Sequence, residues 1–313
     1  MKPGWTAGVT RARLLLSRAI GPEHAREVAA SRSLGDGLAA LAGSAYGARV
    51  TAGQDLAAAE RGIAETLLWH LRILAGWLPA GGAALVRVLA GWFELLNIDA
   101  RLAALASDGR EPRPFALGSL ATAWNEAERA RTVEEVARAV AGSAWLAPPA
   151  KSPPELALGL RVAWARRVQE SAPVAADWVA GAGALLVGRE LLVARSAEHA
   201  AQLLLLPGID QRALAAQTLS ELRDALGPRT SWTLLGIEVP TELWRAELSW
   251  WDRVEDDALA LLRRIDDEAV VLAAVALLAL DAQRTARALA SAARRASTGI
   301  APEAAQEQVD ATG

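Results

Sequence analysis

The residues of this chain best suited to chemistry are two pairs of neighbouring carboxylates, Asp256-Asp257 and Asp266-Asp267, and three histidines, His24, His70 and His199. Paired acids suggest binding of Mg²⁺-diphosphate by an all-α enzyme, which needs DDxxD spacing so that three carboxylates of one helix converge on the ion. Here the third position of each pattern is apolar, Ala260 and Val270. The two pairs stand ten residues apart, roughly 15 Å along a helix and beyond the reach of one cation. A solvated charged face is the reading they support. The histidines share no ligand or triad spacing and are expected in structural or surface roles. Gly181-Ala182-Gly183, with Gly188 beyond, is neither a dinucleotide fingerprint nor a P-loop, and we read it as close helix packing. The absence of cysteine excludes disulfides, thiolate metal sites and cysteine nucleophiles. Arg161, Arg166 and Arg167 make a small basic patch beside Trp164. The formal net charge of -3 argues against a nucleic-acid partner. No catalytic, cofactor-binding or metal-binding residue is assigned, no cofactor or small-molecule substrate is expected, and partner-contacting residues are left open.

The elements that would position these groups read as helix throughout. Hydrophobic residues make up 52% of the 313, rich in Ala and Leu, while Phe, Tyr and other strand formers are sparse. Val254, Ala258, Leu261, Leu262 and Ile265 lie along one helix face, and no window alternates with period two. Breaks fall at Gly21-Pro22, Gly81-Gly82, Pro112 with Pro114, the cluster Pro148, Pro149, Pro153 and Pro154, then Pro173, Pro207-Gly208, Gly227-Pro228 and Pro240. The tail from Gly299 to Gly313 is polar and aperiodic. The longest clean apolar run, Ala269 to Leu280, is shorter than the roughly 20 residues of a bilayer span and is bracketed by acids. Arg11, Arg13 and Arg18 interrupt any secretory core. We therefore expect a cytoplasmic chain. Its mean hydropathy of +0.18 suggests that a partner covers some apolar surface. The twelve tryptophans, against two Phe and one Tyr, are read mainly as core filler.

One segment recurs. Ser33–Tyr46, Thr132–Trp145 and Thr218–Trp232 each begin with a hydroxyl residue followed three positions later by an acid (Asp36, Glu135, Glu221), the spacing of a capping box. Apolar residues follow at matching positions, Leu34 and Leu41, Val133 and Val140, Leu219 and Leu226. Each copy ends in a helix-stopping glycine, Gly43, Gly142 or Gly227, and then an aromatic. The first two share Ala-Gly-Ser-Ala before Tyr46 and Trp145. The starts lie 99 and 86 residues apart, a spacing that suits three similar helical subdomains. Trp145 and Trp232 are expected to close buried turns.

A short capped helix ending in a small-residue turn and an aromatic, in each of three helical parts, resembles the V-type ATPase subunit called C in archaeal-type enzymes and d in eukaryotic ones. The closest local match is Phe93-Glu94-Leu95-Leu96-Asn97-Ile98, with Asp99 in place of the usual base and Arg101 after it. Pro114-Phe115-Ala116-Leu117-Gly118 resembles the family's marked loop, and Arg11-Ala12-Arg13-Leu14-Leu15 its first helix. In the last helix, Ala279 to Ala290, Gln283 and Ala286 stand where an acid and an Asn are common. The chain looks like a diverged bacterial member.

The resemblance implies an all-α fold of three pseudo-threefold-related helical subdomains forming a funnel or collar. These would be residues 1–94, 95–187 and 188–298, followed by a flexible tail, 299–313. It implies a non-catalytic central-stalk subunit that couples ATP-driven rotation to proton or sodium transport. Its partners would be the rotor shaft subunits and the membrane proteolipid ring, which would hold it peripherally on the inner face of the cell membrane. The alternatives are a helical adaptor unrelated to rotary ATPases and an all-α Mg-diphosphate enzyme.

Overall fold

The computed structural model describes residues 4–107, 112–147, 150 and 152–298. Pro148, Pro149 and the tail from Gly299 to Gly313 lie outside the described residues. Fifteen α-helices follow one another among those described: α1 (Thr6–Leu16), α2 (Gly21–Ala29), α3 (Leu34–Ala40), α4 (Leu56–Gly76), α5 (Ala80–Leu89), α6 (Gly91–Ala106), α7 (Trp124–Ala127), α8 (Val133–Ala141), α9 (Pro153–Ser171), α10 (Ala176–Gly188), α11 (Gln211–Leu214), α12 (Leu219–Ala225), α13 (Pro228–Ser231), α14 (Leu243–Leu261) and α15 (Asp267–Thr298). No strand occurs among the described residues, so the chain is all-α.

Most sequence breaks are helix ends with a physical cause. Pro22 and Pro153 sit in the first turns of α2 and α9, where the missing N–H would have had no helical partner. Gly208 turns the chain with φ +76. The break expected at Gly81-Gly82 falls just before them, at residues 77–79, and both glycines lie in the first turn of α5. A Cβ at Gly82 would stand 2.9 Å from the Trp5 ring, so this glycine admits an indole and does not stop a helix. Beyond α10 the helix widens into a π-turn, Arg189–Val193, where the Ala194 N–H donates to Arg189 O at 2.8 Å.

The repeat has a local counterpart at all three sites. Ser33 Oγ accepts from Asp36 N–H, Thr132 Oγ1 from Glu135 N–H and Thr218 Oγ1 from Glu221 N–H, opening α3, α8 and α12. In the second and third copies the glutamate reaches back to the N–H of Arg131 and of Gln217, both at 2.7 Å. Asp210 caps its own short helix α11, which leaves Thr218 free to cap α12.

The chain divides into two compact units, one holding residues up to Val86 and from Glu255 onward, the other Arg87–Val254. In the first, α15 is the central helix, packed by α1, α2, α3 and α4. By length and apolarity Asp267–Arg295 could cross a bilayer (mean hydropathy 1.6), yet 67% of its most apolar stretch is buried in the protein. Val28, Leu38, Leu41, Tyr46, Ile63 and Leu289 form much of this core. In the second unit, α9 packs on α6 and α10, while α10 also packs on α13. Leu158, Val162, Leu203, Leu219, Leu222 and Leu234 lie at its core.

Candidate functional site

The Phe93-Glu94-Leu95-Leu96-Asn97 segment is a clamp on the loop that precedes α7. Phe93 meets the Phe115 ring edge to face, with centroids 5.2 Å apart. Asn97 pairs with the main chain of Phe115, donating to its carbonyl at 3.0 Å and accepting from its N–H at 2.7 Å. Glu94, 1% exposed, accepts from Thr122 N–H (2.9 Å), Ala123 N–H (2.6 Å), Trp124 N–H (2.6 Å) and the Trp145 indole (3.0 Å). A buried carboxylate survives only with its lone pairs filled, and here the start of α7 and one indole fill them. Arg167 lies over the Trp145 ring, 5.0 Å from its centroid, and burial lowers the pKa of this guanidinium.

The first unit holds a second node of the same construction. Asp281 on α15 accepts from the Tyr46 hydroxyl (2.8 Å), Ile20 N–H (3.3 Å) and Gly21 N–H (2.9 Å), so it fastens the start of α2 and one aromatic. Burial, then the Asp281 charge, pushes the Tyr46 hydroxyl well above its ordinary pKa. The turns before the two aromatics match bond for bond. Ser44 Oγ donates to Leu41 O at 2.7 Å and accepts from Tyr46 N–H at 3.1 Å; Ser143 Oγ donates to Val140 O at 2.7 Å and accepts from Trp145 N–H at 3.2 Å.

Sequence reasoning placed the last helix's acid position at Gln283 and passed over Asp281. The signal was an acid ending a long apolar run, Ala269 to Leu280. The third copy differs. Trp232 is half-buried under Arg253, its ring against Gly181, and its indole N–H is buried with no acceptor among the described residues.

The candidate reacting groups do not assemble. Asp256 and Asp257 lie on α14, while Asp266 and Asp267 open α15 beyond a turn, so no single helix carries both pairs. Asp266 accepts from Glu268 N–H at 3.1 Å, and Asp267 is buried. His24 sits on α2 against Ala40 O at 3.2 Å, His70 is buried on α4, and His199 lies in the 3-10 stretch Ala197–Leu205. Among the described residues no three of His, Asp and Glu are grouped so as to hold a metal ion. The expected basic patch is dispersed. Arg161 pairs with Asp99 at 2.6 Å, Arg167 covers Trp145, and the Trp164 indole donates to Val88 O at 2.8 Å. Burial raises the pKa of Asp99, and Arg161 opposes that rise. Gly181 does serve close packing: a Cβ there would stand 2.7 Å from the Trp232 ring.

His70 makes stability depend on pH. Burial, with Arg18 as the next cause, lowers its pKa from 6.5 to about 4; Asp281 opposes this, while Arg49 and Arg11 reinforce it. Between those values the unfolded chain binds a proton that the folded chain refuses, so this contribution is complete above pH 6.5 and is lost as pH falls toward 4. We expect the unfolding free energy to drop by about 2 kcal/mol more between pH 7 and pH 5 in the native chain than in His70→Leu. Parallel pH profiles of the two proteins would refute this.

Four tryptophans, Trp5, Trp124, Trp145 and Trp178, are core residues as expected. Trp77, Trp92 and Trp244 are instead exposed, by 53%, 41% and 45%. Leu14, Leu146, Leu235 and Ile265 are likewise exposed. No protein-family model matches the chain, and no curated protein matches it in sequence.

Proposed function

We propose that the chain is the central-stalk socket of a rotary V-type ATPase, which joins the rotor shaft to the membrane proteolipid ring and performs no chemistry of its own. One observation carries this reading: the same device, a buried acid gripping an aromatic and the start of a short helix, is built twice, at Asp281 with Tyr46 and at Glu94 with Trp145. Repeated devices of this kind suit a collar of three related helical parts, here 1–94, 95–187 and 188–298: Asp281 of the third part grips Tyr46 of the first, and Glu94 at the end of the first grips Trp145 of the second. A socket must carry torque without yielding, and nodes that tie separate helices through charge-assisted hydrogen bonds to a close-packed core resist shear. Exposed tryptophans are suited to anchor partners.

The test is binding. The purified chain is expected to retain the shaft subunits or the proteolipid ring of its own organism. Capture of neither would favour a helical adaptor of another kind, and saturable binding of Mg²⁺-diphosphate would favour an enzyme.

A further inference from the structure

The apolar stripe that begins at Val254 does not stay in the core. Val254, Ala258 and Leu261 are buried and Leu262 is half-buried, but α14 ends at Leu261, and Ile265, the last residue expected on that face, is 88% exposed. No other large hydrophobic side chain among those described is as exposed. The turn that displays it is fixed at both ends. Arg263 N–H donates to Ala260 O (3.2 Å) and Arg264 N–H to Leu261 O (3.0 Å), while Arg13 on α1 donates to Leu262 O at 3.1 Å. On the far side Asp266 is engaged at the start of α15. Arg13, Arg263 and Arg264 are all exposed, and so is Leu14 beside Arg13. Three exposed arginines thus belong to the turn that carries one protruding aliphatic, against two exposed acids, Asp266 and Glu268, in a chain whose net charge is -3.

We propose that this turn, Leu262–Asp266 with Arg13, docks on an anionic lipid bilayer, the arginines meeting lipid phosphates and Ile265 entering the interface. Charge complementarity is local. The chain as a whole would be repelled by such a surface, while in this patch three exposed arginines outnumber two exposed acids. The shape also favours lipid. An aliphatic side chain that stands 88% exposed needs a rigid partner to offer a fitted pocket, whereas a bilayer closes around it. Because the turn is already tied, insertion orders nothing further. The inference stands apart from the rotary reading, since it concerns the chain alone.

The experiment is co-sedimentation of the full chain, with no other subunit, on vesicles of phosphatidylcholine alone or with about one third phosphatidylglycerol. Binding is expected only on the anionic vesicles and is expected to weaken with salt. Each arginine contributes about fivefold in partitioning, so R263E/R264E should bind more than about twentyfold more weakly. Ile265→Asp should lose about tenfold and Ile265→Trp should gain. Because these side chains are exposed, unfolding midpoints should stay unchanged, which separates lost docking from lost folding. Absence of binding by the native chain would overturn the proposal, as would binding that these substitutions leave untouched. Retention on an acidic protein that is abolished by the same substitutions, with vesicles left unbound, would assign the turn to a protein and overturn it too.

Discussion

Glu94→Gln is expected to lower the unfolding free energy by about 3–5 kcal/mol, although it changes one atom of a 313-residue chain. The native carboxylate offers two oxygens to four donors: Thr122, Ala123 and Trp124 N–H and the Trp145 indole. An amide keeps one oxygen, turns an NH₂ toward groups that are themselves donors, and gives up the charge that strengthens each bond. Water cannot readily compensate, because Glu94 is 1% exposed. Asp281→Asn should act in the same sense on the other node, where Tyr46, Ile20 and Gly21 are the donors. Denaturant unfolding compares these proteins with Glu134→Gln, a change at an exposed carboxylate held only by first-turn hydrogen bonds, which should cost far less. Indistinguishable midpoints for Glu94→Gln and Glu134→Gln would remove the node from any account of the fold.

Trp145→Ala is expected to cost about 3–5 kcal/mol as well, through a cavity where a 1% exposed indole stood and through the donor that Glu94 loses. Since Glu94 and Trp145 share one bond, the double variant should cost less than the two single costs added together. The sequence suggested a similar loss at Trp232. The structure lowers that expectation to about 1–2 kcal/mol, because Trp232 is half-buried and its indole N–H has no acceptor to forfeit among the described residues. Equal losses at Trp145 and Trp232 would show that the third copy closes its turn as the second does.

These two sites show what could be read in advance. Hydroxyl–x–x–acid spacing located α3, α8 and α12, since a cap is a contact between residues three apart and needs no tertiary information. Phe93, Glu94 and Asn97 stood out as a motif, and Phe115 lay in a second one, yet nothing in either indicated that they touch. Asp281 was overlooked because its partners, Tyr46 and Gly21, lie 235 and 260 residues away in sequence. Gly82 was misread for a related reason: its role is to admit the ring of Trp5, which the spacing of nearby residues cannot reveal.

The amino-acid sequence by itself determined that the chain is helical, where the three capped helices of the repeat begin, and that it holds no thiol; each depends on composition or on residues within a turn or two of one another. Tertiary structure alone decided which acids became nodes, which tryptophans stayed at the surface, and that Ile265 leaves the core stripe of α14 to stand in solvent among arginines. The division has a physical cause. Helix caps and periodicity are enforced by local hydrogen bonds and sterics, whereas burial and the satisfaction of a buried charge depend on groups that meet only after the chain has packed.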